Sequence, residues 1–173
     1  MASVLVTTWY LEMTARRERS SAPPEGMAIE RLERPSAALY RSLYEVVGGP
    51  WRWVDRLSLS GDALEAIVQH PEVEVHRLVG VVPDGEVRGY FELDRRVEGA
   101  CELAYFGLAP SFIGRGLGRW FLDEAIQRAW AGSPERVFVH TCSLDHPRAL
   151  SNYERAGFRV YDEATALMDT GSA

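Results

Sequence analysis

The segment from Phe106 to Arg119 constrains the fold of this chain more than any other. It passes from branched and aromatic residues through glycines at 114, 116 and 118 into a stretch with apolar residues at helical spacing. Such glycines let the backbone approach a ligand closely, and free amide hydrogens at the start of a helix favour an anion. We therefore predict a strand, a glycine turn and a helix that together hold a phosphate-bearing ligand.

Composition narrows the class of protein further. A chain of 173 residues suits one domain, and its net charge of -6 comes with no basic stripe for a nucleic acid. Cys101 and Cys142 lie far apart, so neither a disulfide framework nor a cysteine metal site is expected. No apolar run could span a membrane, and the first residues lack a basic leader. We expect a cytoplasmic monomer or homodimer without metal, nucleic acid or membrane.

Periodicity predicts an α/β fold with a mixed, mostly antiparallel sheet of six to seven strands flanked by about four helices. A loop is expected at Arg16 to Gly26, where two prolines prevent regular structure, and a hairpin turn at Pro83-Asp84-Gly85. The predicted strands are Val4 to Met13, Val73 to Val82, Glu86 to Val97, Ala100 to Leu108, Arg136 to Cys142 and Phe158 to Met168. The predicted helices are Ser36 to Gly48, capped by Ser36, Ala63 to Val68, capped by Ser60 or Asp62, Leu117 to Ala131, and Pro147 to Arg155.

Two motifs carry a resemblance to a known family. Leu108-Ala109-Pro110 is followed by Gly116-x-Gly118, and Asn152-Tyr153-Glu154-Arg155-Ala156-Gly157-Phe158 lies downstream. The pair resembles the GNAT superfamily of N-acetyltransferases. The resemblance implies a single GNAT-like domain over residues 1–173, with acceptor-side helices and a loop in 27–72 and an acetyl coenzyme A-binding core in 73–168.

The resemblance also implies a set of cofactor-binding residues. Main-chain amides of the glycine turn would hold the pyrophosphate of acetyl coenzyme A, which serves as cosubstrate. Two positions depart from the family pattern: Ile113 replaces the usual Gln or Arg, and His146 replaces the usual Asn. The residues expected to bind the cofactor are Phe106, Gly107, Leu108, Gly114, Arg115, Gly116, Leu117, Gly118, Arg119 and Asn152.

Acetyl transfer to an amine needs a neutral amine, stabilisation of the oxyanion and a proton for the thiolate. By resemblance, Tyr153 is the general acid, and a backbone amide near Phe106 to Leu108 is the oxyanion donor. Glu102 is the first candidate for the base and Glu92 the second. Strand alternation places Glu102 on the face of Ala104 and Phe106, as an isolated carboxylate among apolar neighbours. An ion pair of Glu102 with Arg95 or Arg96 is the alternative.

The acceptor is the least determined part of the site. Trp51 and Trp53 fall where the family's acceptor loop lies, and they either wall an acceptor site together with Glu92 or fill the core. The resulting hypothesis is an N-acetyltransferase that moves acetyl from acetyl coenzyme A to a primary amine by direct transfer in a ternary complex. The acceptor is a small molecule or a peptide. The alternative is a non-catalytic acyl coenzyme A sensor.

Overall fold

Seven strands form one sheet in the computed structural model, which describes residues 3–19 and 21–169. Their spatial order is β2-β3-β4-β5-β6-β1-β7, with β5 and β6 parallel and the other neighbours antiparallel. The predicted mixed, mostly antiparallel sheet is confirmed. The strands are β1 (Ser3–Met13), β2 (Met27–Leu32), β3 (Val73–Gly80), β4 (Gly89–Asp94), β5 (Ala100–Leu108), β6 (Arg136–Cys142) and β7 (Arg159–Asp169).

Four helices flank this sheet within the described ranges, as predicted. Ser36 and Ser60 cap the first two: each hydroxyl accepts a hydrogen bond from the third backbone amide along, at 3.2 Å. No helix of residues 3–19 and 21–169 has the length and apolar character needed to cross a membrane. The helices are α1 (Ala37–Gly48), α2 (Gly61–Val68), α3 (Leu117–Ala129) and α4 (Ala149–Ala156).

The two faces of the sheet carry separate apolar cores. On β4, Tyr90 packs with the cluster of α1 and α2, whereas Phe91 packs with the cluster of α3 and α4. Successive side chains of a strand point to opposite faces, so this assignment follows from strand geometry. One face of the sheet, the α1 side, is therefore covered by α1 and α2, and the other, the α3 side, by α3 and α4. Any opening through the sheet connects these two faces.

Such an opening lies between the two parallel strands. β5 and β6 pair only through Ala100 with Arg136, Cys101 with Val137 and Glu102 with Phe138. Beyond Glu102, β5 continues to pair with β4 but no longer with β6. Alternate backbone amides of β5 therefore face the gap without a strand partner.

Two features of the strands differ from the prediction. An edge segment was expected after the proline-rich loop but without bounds; it is β2, which lies in the region assigned to the acceptor-side helices and loop and pairs with β3 at the edge of the sheet. The connection between β3 and β4 is longer than the predicted turn, since strand structure stops at Gly80 and resumes at Gly89. Arg88 lies beside Gly80, where an added Cβ would stand 2.6 Å from its Nη1, and pairs with Asp84.

The predicted alternation along β5 was wrong. Glu92 pairs with Tyr105 and Leu93 with Leu103, so Ala104 is an extra residue in the ladder. This bulge reverses the sides of the following residues: Phe106 packs against Phe121 of α3, and Glu102 does not share its face.

Candidate active site

A cavity of about 1280 Å³ occupies the gap between β5 and β6. It is lined by both strands, by the glycine turn and α3, by α4, and by the loop that follows α1. The cavity thus reaches from the α1 side of the sheet to the groove between α3 and α4. A ligand held there can contact both the loop that follows α1 and the helices α3 and α4.

The glycine turn opens onto this cavity. Gly114 and Gly116 have φ of +80° and +77°, a left-handed conformation that side chains rarely adopt. A Cβ added at either residue would meet nothing within 4 Å, so the surface beside the turn is open. Because Gly116 caps α3 without a side-chain hydrogen bond, the first amides of the helix remain available. This arrangement fits a phosphate group at the positive end of the α3 dipole.

The structure brings most predicted cofactor residues to the cavity wall. Three of them do not line it: Leu117, whose side chain is buried in the α3 core; Gly116, which caps the helix; and Arg115, whose Cζ lies 4.8 Å from the centroid of the Phe112 ring. Ile113 lines the cavity but offers no hydrogen-bond donor from its side chain. The predicted residues that line it are Phe106, Gly107, Leu108, Gly114, Gly118, Arg119 and Asn152.

Tyr153 presents its phenol to the same cavity from α4. Its ring packs edge-on against Phe106 and Phe158, with centroids 6.5 and 5.8 Å away, and its hydroxyl bonds to no other described residue. Burial raises the pKa of Tyr153 well above its ordinary value. The hydroxyl is therefore protonated at neutral pH and free to donate.

Glu102 stands beside a histidine that was not predicted as its partner. His140 Nδ1 lies 3.6 Å from Glu102 Oε1, whereas Arg95 pairs with Glu74 and Arg96 with Asp94. The predicted isolation of Glu102 was therefore wrong. His140 lines the cavity and Glu102 does not. The Glu102 carboxylate raises the pKa of His140, and burial opposes this rise.

Glu92 is withdrawn from the cavity and fully buried on β4. Arg56 Nη2 donates to one carboxylate oxygen at 2.5 Å, and the Tyr40 hydroxyl donates to the other. Burial raises the pKa of Glu92, and Arg56 and Tyr40 oppose this rise. Arg56 also lies over the Tyr105 ring, with Cζ 5.3 Å from its centroid. Both oxygens of Glu92 are thus engaged inside the acceptor-side core.

The loop after α1 forms an aromatic wall of the cavity. Trp51 packs edge-on against His146 at 5.2 Å, and Trp53 packs on Tyr105 at the same centroid distance. Trp53 also lies against Gly48, where an added Cβ would stand 2.2 Å from the indole. Both tryptophans line the cavity, and Trp53 in addition belongs to the edge of the α1 core.

Asp145 fixes this wall to the opposite strand, a role that the sequence analysis missed. Its Oδ1 accepts a hydrogen bond from Trp53 Nε1 at 3.0 Å. Its Oδ2 accepts bonds from Thr141 Oγ1 at 2.7 Å and the Cys142 amide at 2.9 Å. The sequence carried no signal for this contact, because Trp53 and Asp145 are far apart along the chain.

The two cysteines are poorly suited to nucleophilic attack. Cys101 is fully buried, and burial raises its pKa to about 12. Cys142 lines the cavity, and burial likewise raises its pKa. Among residues 3–19 and 21–169, no group of three or more His, Cys, Asp or Glu side chains could hold a metal ion.

Comparison with known proteins agrees with this geometry. The family described as acetyltransferase (GNAT) matches residues 38–158. A GCN5-related N-acetyltransferase from Sphaerobacter thermophilus superposes with a TM-score of 0.70 at 18% identity, over 94% of this chain and 50% of that one. A tandem GNAT protein from the clavulanic acid biosynthesis pathway gives 0.65 at 14%, over 96% and 55%. The chain thus spans about half the length of these two proteins.

A third solved structure is matched over nearly its whole length. An aminoglycoside acetyltransferase from an uncultured soil metagenomic sample gives a TM-score of 0.63 at 14% identity, over 85% of this chain and 97% of that one. No curated protein sequence matches the chain. A mixed sheet opened between two parallel strands, with a glycine turn at the opening, places the protein in the acetyltransferase fold class. The chain belongs to the acetyltransferase (GNAT) family.

Proposed function

We propose that this protein is an N-acetyltransferase that moves acetyl from acetyl coenzyme A to a primary amine. The observation that carries the proposal is the shared cavity, into which the glycine turn, Tyr153 and His140 all face. Acetyl coenzyme A would supply the acetyl group as a thioester. The open surface beside Gly114 and Gly116 fits its pyrophosphate, and the gap between β5 and β6 fits its extended arm.

Direct transfer is the mechanism that the side chains support. The amine nitrogen forms a bond to the carbonyl carbon as the carbon–sulfur bond breaks, giving an amide and a thiol. Unpaired amides of β5 stabilise the negative charge that develops on the carbonyl oxygen. Tyr153 gives its proton to the departing sulfur. A covalent route through Cys142 is disfavoured, because burial stabilises its thiol form.

We assign the base to His140, with Glu102 as the residue that positions it. His140 reaches the cavity, and the neighbouring carboxylate of Glu102 orients the ring and raises its pKa. In this arrangement the neutral imidazole takes the proton of the amine. Trp51, Trp53 and Asp55 line the acceptor side, which suits a cationic primary amine.

We expect Glu102→Gln to move the acidic limb of the kcat/KM profile to lower pH. Removing the carboxylate lowers the pKa of His140, so the imidazole stays neutral in more acidic solution. His140→Gln should abolish this limb and reduce kcat. Glu98→Gln, an exposed change in the turn before β5, is the control and should leave the profile unchanged. An unchanged limb in Glu102→Gln would mean that the base lies elsewhere.

Release of free thiol tests the proposed activity as a whole. Acetyl coenzyme A is incubated with the protein and, in turn, an amino acid, a polyamine, an aminoglycoside and a short peptide. Thiol released only when both the protein and one amine are present supports the proposal. Coenzyme A binding without turnover on any amine would favour the alternative, a non-catalytic sensor.

A further inference from the structure

The loop that joins β1 to β2 forms part of the cavity wall. Arg17, Glu18, Arg19 and Ser21 line the same cavity as the glycine turn, although they belong to the N-terminal part of the chain. They meet it beside α3 and α4, whose cavity-lining residues include Leu122, Asp123 and Ala156. The loop therefore borders the cofactor side of the site, away from the aromatic wall of the acceptor side.

Three partly buried hydrogen bonds hold this loop in place. Arg19 Nη1 lies 2.6 Å from Asp123 Oδ1 on α3, and Arg19 Nη2 donates to the carbonyl oxygen of Ala156 on α4. Ser21 Oγ donates to Asp123 Oδ2 at 2.5 Å. Because the side chains of Arg19 and Asp123 are only 7% and 12% exposed, water screens their ion pair little. The loop is thus fixed to both helices that flank the groove.

Arg17 is a second arginine of this loop on the cavity wall. It forms no ion pair or hydrogen bond with another residue of the described ranges 3–19 and 21–169, yet it lines the cavity. Its guanidinium lies beside Gly157, at the end of α4, where an added Cβ would stand 3.0 Å from Arg17 Nη1. A glycine at this position leaves room for the arginine to lie against the helix end.

Two further arginines face the same groove from its walls. Arg119 lies on α3 and Arg155 on α4, and both line the cavity with Arg17. Glu18 is the acidic residue of the loop there, and the charge of Asp123 is matched by Arg19. Three arginines thus line one cavity of a chain whose net charge is -6, and one of them, Arg155, also donates to Asn152 Oδ1 at 2.6 Å. Such a local concentration of positive charge fits a ligand with several negative charges.

We propose that Arg17 binds a phosphate group of coenzyme A, so that the loop residues on the cavity wall, 17–19 and Ser21, are a functional part of the cofactor site. The inference rests on the proposed function, because it takes coenzyme A as the ligand of the cavity. It also accounts for Ile113, which offers no side-chain donor at the glycine turn. Arg17 supplies a donor from the opposite side of the groove.

Calorimetric titration of purified protein with coenzyme A and with 3′-dephospho-coenzyme A tests this inference. Arg17→Ala should weaken coenzyme A binding by about tenfold or more, since it removes a charge-assisted hydrogen bond to phosphate. Arg16→Ala is the matched control: it removes an exposed arginine one residue earlier that does not line the cavity. The control should change the Kd by less than about twofold.

The two ligands distinguish which phosphate Arg17 binds. A defect that disappears with 3′-dephospho-coenzyme A assigns Arg17 to the 3′-phosphate, and a defect that persists assigns it to the pyrophosphate. Equal Kd values for Arg17→Ala and Arg16→Ala, with tight binding by the unaltered protein, would overturn the role of Arg17 alone. Absence of coenzyme A binding by the unaltered protein would overturn both this inference and the proposed function.

Discussion

Tyr153→Phe should lower kcat by roughly 10²- to 10⁴-fold, the range that positioned acid catalysis contributes. The phenol faces the cavity and has no competing partner among the described residues, so its proton is available to the departing sulfur. The substitution keeps the ring and its packing against Phe106 and Phe158. Coenzyme A affinity and the melting temperature should therefore stay close to those of the unaltered protein. Single-turnover measurements of thiol release separate the chemical step from binding.

Tyr161→Phe supplies the matched control for this experiment. Tyr161 is an exposed residue of β7 that does not line the cavity, so losing its hydroxyl should leave kcat unchanged. A loss below about threefold in Tyr153→Phe would assign the proton to water or to another group. Acetyl transfer would then depend on cofactor binding by the glycine turn and on oxyanion stabilisation by the β5 amides, with no role for Tyr153 as general acid.

Arg56→Ala should destabilise the fold by about 3–5 kcal/mol, the usual cost of leaving one member of a buried ion pair alone. Glu92 is fully buried, and Arg56 provides the positive charge that faces it. For a chain of this size the loss corresponds to a fall of about 6–20 °C in Tm. The effect should appear in the unliganded protein, because the pair lies in the core beneath the acceptor loop.

Two further measurements make this prediction specific: the loss of an exposed ion pair as a control, and the pH dependence of the variant's stability. Arg77→Ala breaks the Arg77–Glu30 pair on the sheet edge and should cost at most about 1 kcal/mol. Without Arg56, the already raised pKa of Glu92 should rise further, so the folded state binds a proton that the unfolded chain lacks. The stability of Arg56→Ala should then fall as pH rises, with a smaller deficit at pH 5 than at pH 8. A deficit no larger than that of Arg77→Ala would contradict this role of the pair.

Local patterns were sufficient to predict much of the fold. Local sequence predicted Ser36 as the cap of α1 and Ser60 as one of two candidate caps of α2, because a capping side chain bonds an amide only three residues away. The glycine turn could also be predicted, because the conformation of the turn and the start of α3 depend on residues that are adjacent in the sequence. The opening between β5 and β6 begins after Glu102, where their pairing ends, and it depends on strands that a whole helix separates along the chain.

The site departs from the prediction where distant residues meet. The bulge at Ala104 depends on how β5 pairs with β4, and the alternation of apolar and polar residues over 100–108 does not predict it. The partner of Glu102 is His140, on a strand that follows a whole helix, so no sequence spacing indicates the contact. The same holds for Arg19 and Asp123, which bring the loop after β1 to the cofactor side.

Ligand-dependent melting tests directly whether this cavity binds coenzyme A through the glycine turn. At about 100 times its dissociation constant, coenzyme A should stabilise the protein by roughly 2.7 kcal/mol, which corresponds to a rise of about 5–11 °C in Tm. Gly116→Val places a side chain in the open space beside the turn, at a positive φ that also strains the backbone. Gly118→Val adds a side chain at a helical position on the cavity wall, where an added Cβ would meet Leu108 Cδ1 at an ordinary contact distance of 3.8 Å. The fold of this variant should therefore persist while the ligand shift disappears.

ATP and NAD serve as comparison ligands in the same measurement, because both carry phosphates but lack the arm that would lie between β5 and β6. We expect the full rise in Tm with coenzyme A, a smaller rise with either nucleotide, and none with coenzyme A in Gly118→Val. No rise with saturating coenzyme A, together with a rise with NAD, would contradict this expectation and assign the glycine turn to a different class of nucleotide.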